Sequence, residues 1–257
     1  MRNRKRIGIV TYIAFDFLAA LLAWTITFSF RKFVIEDLPF DLPTYVFNDV
    51  KFYLGAFAIA LSWLVIFFVS GFYTDIYRKS RLADFYKTFI ASFLGAMALF
   101  FILILDDYIT GYKDYYQTFL VLLASHYILT ITPRLTILTL AKRQLQKGHI
   151  AYNTLLIGGN QRALDLYKEI TGNRKSMGYH FLGYVDANGK NGSELGAFIP
   201  RLGNLSDLQT ILNERAIDEI IIAIETSEHH LLNEIINTLS DQPQLVIKII
   251  PDMYDIM

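Results

Sequence analysis

The residues best suited to chemistry form a turn at residues 158–163, with the sequence GGNQRA. It follows an apolar stretch and opens a helical one, the setting in which G-x-G-x-x-A turns bind a pyrophosphate. Asn160 stands where the motif's second glycine lets a phosphate approach the main chain, so the match is incomplete. Asp186 ends the next predicted strand and suits the ribose-binding acid, although it lies 28 residues beyond Gly158 instead of about 20. The candidate ligand-binding residues are Gly158, Gly159, Asn160, Ala163 and Asp186.

Two interpretations of this turn stay open. In one, it binds a nucleotide or a nucleotide-sugar through the helix N-terminus and the nearby carboxylate. In the other, it is a tight strand-to-helix connection without a ligand. The departure from the motif at Asn160 favours the second interpretation, whereas the surrounding strand–helix pattern supports the first.

Other catalytic patterns are missing from the sequence. It has no cysteine, which excludes disulfides, thiolate metal ligands and cysteine nucleophiles. Gly189-Lys190 is followed by Asn191 instead of Ser or Thr, so it is not a P-loop. His229 and His230 are adjacent, and neighbours on a helix point in different directions. We therefore assign no catalytic residue and no metal ligand.

The turn belongs to a predicted α/β domain at residues 151–257. Apolar strands alternate there with helices, a pattern typical of a Rossmann-like fold with a parallel sheet covered on both faces. Asn160 is the predicted N-cap of the first helix, and Ser206 with Gln209 has the spacing of a capping box for the second. The predicted strands are 153–158, 180–186, 219–224 and 245–250, and the predicted helices are 161–171, 205–216 and 227–240, the last capped by Ser227.

Residues 1–150 predict a different environment, a domain of four transmembrane helices. Each apolar segment has about the 20 residues that a helix needs to cross the hydrocarbon core. Basic residues precede the first segment and follow the second and fourth, whereas the other loops are acidic, for example at Asp106 and Asp107. The positive-inside rule then puts both termini in the cytoplasm. The predicted spans are 7–30, 52–72, 88–105 and 116–140.

Two residues within the predicted spans are polar and costly to bury. Asp16 lies in the first span, and we expect it to pair with Arg78, Arg81 or another basic residue at the interface, or to lie close to water. Arg134 follows Pro133 near the end of the fourth span, where we expect it to extend towards lipid phosphates.

The formal charge of zero hides an asymmetry between the two halves. Residues 1–150 hold 16 basic and 10 acidic side chains, whereas residues 151–257 hold 8 and 14. Anionic lipids explain the basic half. The acidic half argues against nucleic acid as a partner.

Four spans followed by a degenerate Rossmann-like domain resemble the N-terminal part of the bacterial polyprenyl glycosylphosphotransferases. These membrane sugar transferases begin exopolysaccharide, capsule and O-antigen synthesis. Each motif is weak alone, but their order and spacing match over essentially the whole chain. The similar stretches are 71–73 (GFY), 78–82 (RKSRL), 153–163 (NTLLIGGNQRA), 181–186 (FLGYVD), 200–208 (PRLGNLSDL), 218–224 (DEIIIAI) and 247–257 (IKIIPDMYDIM).

The resemblance implies transfer of a sugar-1-phosphate from a nucleotide-diphosphate sugar to undecaprenyl phosphate at the inner membrane. The family's catalytic domain, with its Asp-Glu pair and Mg²⁺, would follow Met257. We therefore expect the catalytic domain and any cofactor of its own to be absent from this chain. The expected partners are membrane lipid and, through that following domain, undecaprenyl phosphate and the nucleotide-sugar, and a homodimer is compatible with this interpretation.

Two alternatives remain. The same N-terminal design precedes the membrane-bound nucleotide-sugar 4,6-dehydratases, which continue into a larger NAD-binding domain. A non-catalytic membrane scaffold or sensor is the other alternative.

Overall fold

A computed structural model describes residues 2–104, 112–187, 194–224, 229–240, 242 and 244–250. The predicted cap Ser227, the loop residues Asp106 and Asp107, the Gly189-Lys190 pair and the segment 251–257 lie outside these residues. The chain forms two compact units, a helical unit (Met1–Lys142) and an α/β unit (Arg143–Met257).

Among its described residues, the helical unit contains four helices that are long and apolar enough to cross a membrane, which confirms the predicted fold class. Two short π-helical segments, Arg31–Ile35 and Pro43–Phe47, lie between the first two helices. The long helices are α1 (Arg2–Phe30), α2 (Val50–Val69), α3 (Arg81–Ile104) and α4 (Tyr112–Gln146).

Helix boundaries differ from the prediction where charged and polar side chains are buried. α3 begins at Arg81, well before the predicted start at residue 88, and so includes Asp84. Asp84 and Thr88 both lie in the interior, where partners from other segments satisfy them. A prediction from hydropathy excluded these first two turns because it treats every charged residue as solvent-facing.

Aromatic side chains fill the interior of the helical unit. Trp24 and Phe28 of α1 meet Phe52 of α2, and the Trp24 indole donates to the Phe52 carbonyl oxygen at 2.9 Å. His126 of α4 is fully buried and stacks on Trp63, with 3.5 Å between ring centroids. These contacts place several of the chain's aromatic side chains in the interior of the helical unit.

The α/β unit is built on a five-stranded parallel sheet with the order β3-β2-β1-β4-β5. The chain order reverses between β1 and β4, which makes the carboxyl ends of these strands a topological switch point. The strands are β1 (Tyr152–Ile157), β2 (Tyr179–Asp186), β3 (Arg201–Asn204), β4 (Glu219–Ile222) and β5 (Val246–Ile249), and the helices are α5 (Gln161–Gly172), α6 (Leu208–Glu214) and α7 (His229–Ser240).

Successive residues of the central strands enter opposite cores, as a sheet covered on both faces requires. Leu155 and Ile157 of β1 pack in one apolar core with Ile220 of β4. Leu156 packs in the other with Ala163 of α5. The apolar runs that predicted buried strands therefore supply both faces of the sheet.

The sequence missed β3 and misplaced one helix cap. The segment Arg201–Asn204 lacks the β-branched and aromatic residues that favour strands, yet it pairs with β2 at the edge of the sheet. The predicted cap at Ser206 and Gln209 is wrong, because the capping box is formed by Asn204 and Asp207. The main-chain N–H of Asn204 donates to Asp207 Oδ2 at 2.9 Å.

Candidate functional site

The turn at residues 158–163 leads from β1 into α5 at the switch point of the sheet. Gly158 has a φ of +143°, a conformation that side chains rarely adopt. A Cβ there would lie 2.3 Å from the carbonyl oxygen of Ala223 and 3.2 Å from the Cβ of Ala163. Glycine at 158 is therefore required by close packing between β1, β4 and α5, whether or not a ligand binds.

Asn160 caps α5, as the sequence predicted. Its Oδ1 accepts a hydrogen bond from the main-chain N–H of Ala163 at 3.1 Å. That N–H is one of the donors that a helix N-terminus offers to a phosphate. A phosphate at this turn must therefore compete with Asn160 or use the neighbouring donors.

Asp186 lies at the carboxyl end of β2, directly against the turn. A Cβ on Gly159 would lie 2.8 Å from Asp186 Oδ1, so a larger residue at 159 would require the carboxylate to shift. The carboxylate is buried and forms an ion pair with Arg201 of β3, with 3.2 Å between Oδ2 and Nη2. The same guanidinium also donates to Asn204 Oδ1. The structure thus brings all five candidate residues together at the carboxyl ends of the strands. It adds Arg201, which the sequence did not single out.

Arg162 is a second arginine near the carboxyl ends of the strands. It occupies one of the variable positions of the G-x-G-x-x-A motif. It lies in the first turn of α5, and its guanidinium donates to the carbonyl oxygens of Ile224 at 3.2 Å and Ile250 at 3.4 Å. These carbonyls follow β4 and β5, so Arg162 ties α5 to the carboxyl ends of both strands. Ligands of such sheets bind outside the carboxyl ends of the strands, and Arg162 lies in that region.

The helical unit contains a buried charge cluster of its own. Arg134 of α4 holds Asp16 of α1 in a two-point contact, with Nε–Oδ1 at 2.9 Å and Nη2–Oδ2 at 2.7 Å. Its remaining terminal nitrogen donates to the hydroxyl of Thr88 on α3 at 2.8 Å. All three side chains are fully buried, so Arg134 does not extend to lipid phosphates as predicted. Asp16 pairs with Arg134, not with the named candidates Arg78 and Arg81.

A second ion pair lies beside the first. Lys79 Nζ lies 3.4 Å from Asp84 Oδ1 and also donates to the carbonyl oxygen of Phe72. The hydroxyl of Tyr12 donates to Asp84 Oδ2 at 2.8 Å, which connects α1 to α3. Aromatic rings enclose the Arg134 guanidinium, with Phe67 at 4.1 Å and Phe72 at 4.4 Å from its Cζ. The cluster thus joins all four helices with two acidic and two basic groups.

The donor set decides which chemistry each place can support. In the described ranges, no group of three or more His, Cys, Asp or Glu side chains is arranged to hold a metal ion. The edge of the sheet offers a helix N-terminus, a carboxylate and two guanidinium groups, which suits recognition of an anionic nucleotide more than bond cleavage.

A family model for a CoA-binding domain matches residues 72–251 of the chain. The chain belongs to this family. CoA-binding domains of this kind are found in bacterial sugar transferases, which fits the resemblance to a sugar-phosphate transferase family. No curated protein matches the chain.

The match to the CoA-binding family spans more than the α/β unit. It begins at Phe72 and takes in α3 and α4, and therefore includes Arg134 and its partner Thr88. Asp16, on α1, lies before it.

CoA carries a pyrophosphate and a ribose phosphate, and the arginines at the carboxyl edge of the sheet fit such an anion. Arg162, Arg201 and the start of α5 would hold it, with Asn160 as the departure from the usual turn.

Proposed function

We propose that this chain forms the membrane-anchoring and nucleotide-responsive part of a bacterial sugar transferase. The observation that carries the proposal is the extent of the family match. One family segment spans α3, α4 and the whole described sheet. This supports treating these two membrane-length helices and the Rossmann-like unit as parts of one functional module. That is the arrangement of the polyprenyl glycosylphosphotransferases that the sequence resembles.

The proposed reaction belongs to the complete enzyme. An oxygen of undecaprenyl phosphate bonds to the β-phosphorus of a nucleotide-diphosphate sugar, and the bond from that phosphorus to the bridging oxygen breaks. The nucleoside monophosphate leaves, and the sugar-1-phosphate stays on the lipid as a diphosphate. The described residues supply anchoring and ligand binding to this process, and we assign none of them to the chemical step.

The location of the protein follows from the same proposal. The membrane is the bacterial inner membrane, because the lipid acceptor and the nucleotide-sugar meet at its cytoplasmic face. The α/β unit then lies in the cytoplasm, in agreement with the basic residues that flank the membrane helices on that side.

Membranes from cells with and without the gene for this sequence test the proposal. They are incubated with nucleotide-sugars labelled in the sugar, and the products are separated into lipid and aqueous fractions. We expect label in the lipid fraction that disappears on gene deletion and returns with the wild-type gene. Loss of a water-soluble 4-keto sugar instead would identify a dehydratase, and no change in either product would favour a scaffold.

A further inference from the structure

The corner formed by Gly159, Asp186 and Arg201 contains an ion pair, which is unusual for a Rossmann-like site. In dinucleotide-binding domains, the acid at the end of the second strand accepts hydrogen bonds from ribose hydroxyls. Here that carboxylate is buried and already paired with a guanidinium 3.2 Å away. A ligand with only ribose hydroxyls must therefore share or break an ion pair to reach it.

Arg201 reaches this corner because of the additional strand β3. β3 lies beside β2, with Arg201 opposite Tyr184 and Asn204 opposite Asp186. The guanidinium bonds to Asn204 Oδ1 and pairs with Asp186, and its side chain remains 30% exposed. An arginine held by two neighbours and still open to solvent is positioned to meet an anion with little loss of side-chain freedom.

We propose that Arg201 binds a phosphate on the ribose of an adenine nucleotide. Asp186 orients the guanidinium and accepts a hydrogen bond from the adjacent ribose hydroxyl. Both CoA, with its 3′-phosphate, and NADP, with its 2′-phosphate, have this chemistry, and the family description favours CoA. The inference rests on the proposed nucleotide binding at this edge of the sheet. It makes Arg201 the residue that distinguishes these ligands from NAD and UDP-sugars, whose riboses carry no such phosphate.

The contact with Gly159 places the corner next to the helix N-terminus. Asp186 Oδ1 lies 2.8 Å from where a Cβ on Gly159 would stand, so a ribose held there is adjacent to the turn that opens α5. A pyrophosphate attached to that ribose would then lie near the first turn of α5, where Arg162 adds a guanidinium. One nucleotide can thus engage the turn and the corner together.

Calorimetric titration of the full chain in lipid nanodiscs tests this assignment. The ligands are CoA, 3′-dephospho-CoA, NADP, NAD and UDP-glucose. A charge-assisted phosphate contact predicts that CoA binds roughly 10- to 100-fold more tightly than 3′-dephospho-CoA. Arg201→Gln should bring the two affinities within about twofold, chiefly by weakening CoA.

Two variants separate recognition from folding. Asp186→Asn with Arg201→Gln removes both charges, so it leaves no unpaired buried carboxylate and should lose the preference while keeping the thermal unfolding temperature. Arg215→Gln changes another exposed arginine of the α/β unit and should keep the preference.

The outcomes separate this inference from the proposal beneath it. Equal affinity of the wild type for CoA and 3′-dephospho-CoA, together with equal affinity for NADP and NAD, would overturn the role of Arg201 alone. Absence of heat with every nucleotide would overturn nucleotide binding as well. A preference for NADP over NAD without one for CoA would keep the ribose-phosphate site and reject CoA as its ligand.

Discussion

At the scale of single residues, the clearest constraint is the pair of Asp16 and Arg134, which lie 118 positions apart in sequence. The sequence identified Asp16 as unusual but could not name its partner, because the partner depends on how α1 packs against α4. Removing one member of a buried ion pair leaves the other charge unpaired in a low-dielectric interior. The pair therefore fixes the relative positions of these helices.

Arg134→Met should destabilise the helical unit by about 3 kcal/mol or more, because the Asp16 carboxylate loses its ion pair and the two hydrogen bonds from the guanidinium. The measurement is unfolding of the purified chain in mixed detergent micelles, followed by helical circular dichroism. Adding Asp16→Asn to Arg134→Met should recover part of the loss.

Lys87→Gln provides the matched control, since Lys87 is an exposed basic residue on α3. It should unfold like the wild type. An Arg134→Met chain as stable as this control would show that the buried pair is not what holds α1 to α4.

Asn160 has a capping role that a glycine can replace in part. Asn160→Ala should cost about 1 kcal/mol of stability, whereas Asn160→Gly should cost only about a few tenths. The glycine variant also releases the Ala163 N–H to a phosphate and restores the second glycine of the motif. We therefore expect Asn160→Gly to bind CoA more tightly than the wild type in the same titration; weaker binding would mean that the Asn160 side chain itself contacts the ligand.

At the scale of elements, Lys248 connects three strands of the sheet. From β5, its Nζ donates to Glu219 of β4 at 2.9 Å and to the hydroxyl of Tyr179 of β2 at 3.0 Å. Partial burial disfavours the ammonium, but the hydrogen bonds to Tyr179 and Glu219 outweigh it and raise the pKa of Lys248 above its usual 10.5. The charged form is thus more stable in the folded chain than in the unfolded one.

A raised lysine pKa stabilises the fold fully below pH 10.5, and this contribution is lost as the pH rises through the folded-state pKa. We expect the α/β unit to lose stability above that pH more steeply in the wild type than in Lys248→Met. Thermal unfolding over a pH series measures the difference. Lys175→Met, at an exposed position in the same unit, should follow the wild-type curve.

The elements also show how far the sequence could predict the fold. Apolar runs predicted four of the five strands, because Leu155 and Ile220 belong to stretches that only a buried strand accommodates. β3 was missed because Arg201–Asn204 lacks the β-branched and aromatic residues that indicate a strand. The same omission hid Arg201 from the candidate site, whereas the glycine motif was enough to find the turn.

At the scale of the whole molecule, the four spans predict that both ends of the chain lie on one side of the membrane. The chain has no cysteine, so single cysteines can report this directly. Asn48→Cys lies between α1 and α2, and Arg174→Cys lies in the α/β unit; both positions are exposed. In intact spheroplasts, a membrane-impermeant maleimide should label Asn48→Cys and leave Arg174→Cys unlabelled until the cells are lysed. The reverse pattern would invert the topology and place the nucleotide site outside the cytoplasm.

The most direct test of the central claim follows the β-phosphate of the sugar donor. Membranes containing the natural gene product are incubated with a UDP-sugar radiolabelled in that phosphate, and the lipid fraction is counted. Sugar-1-phosphate transfer predicts that the label moves into the lipid together with the sugar, with release of UMP, and that deletion of the gene abolishes it. If the sugar reaches the lipid while the labelled phosphate stays on the nucleotide, or if neither depends on the gene, the assignment to a sugar-phosphate transferase is wrong.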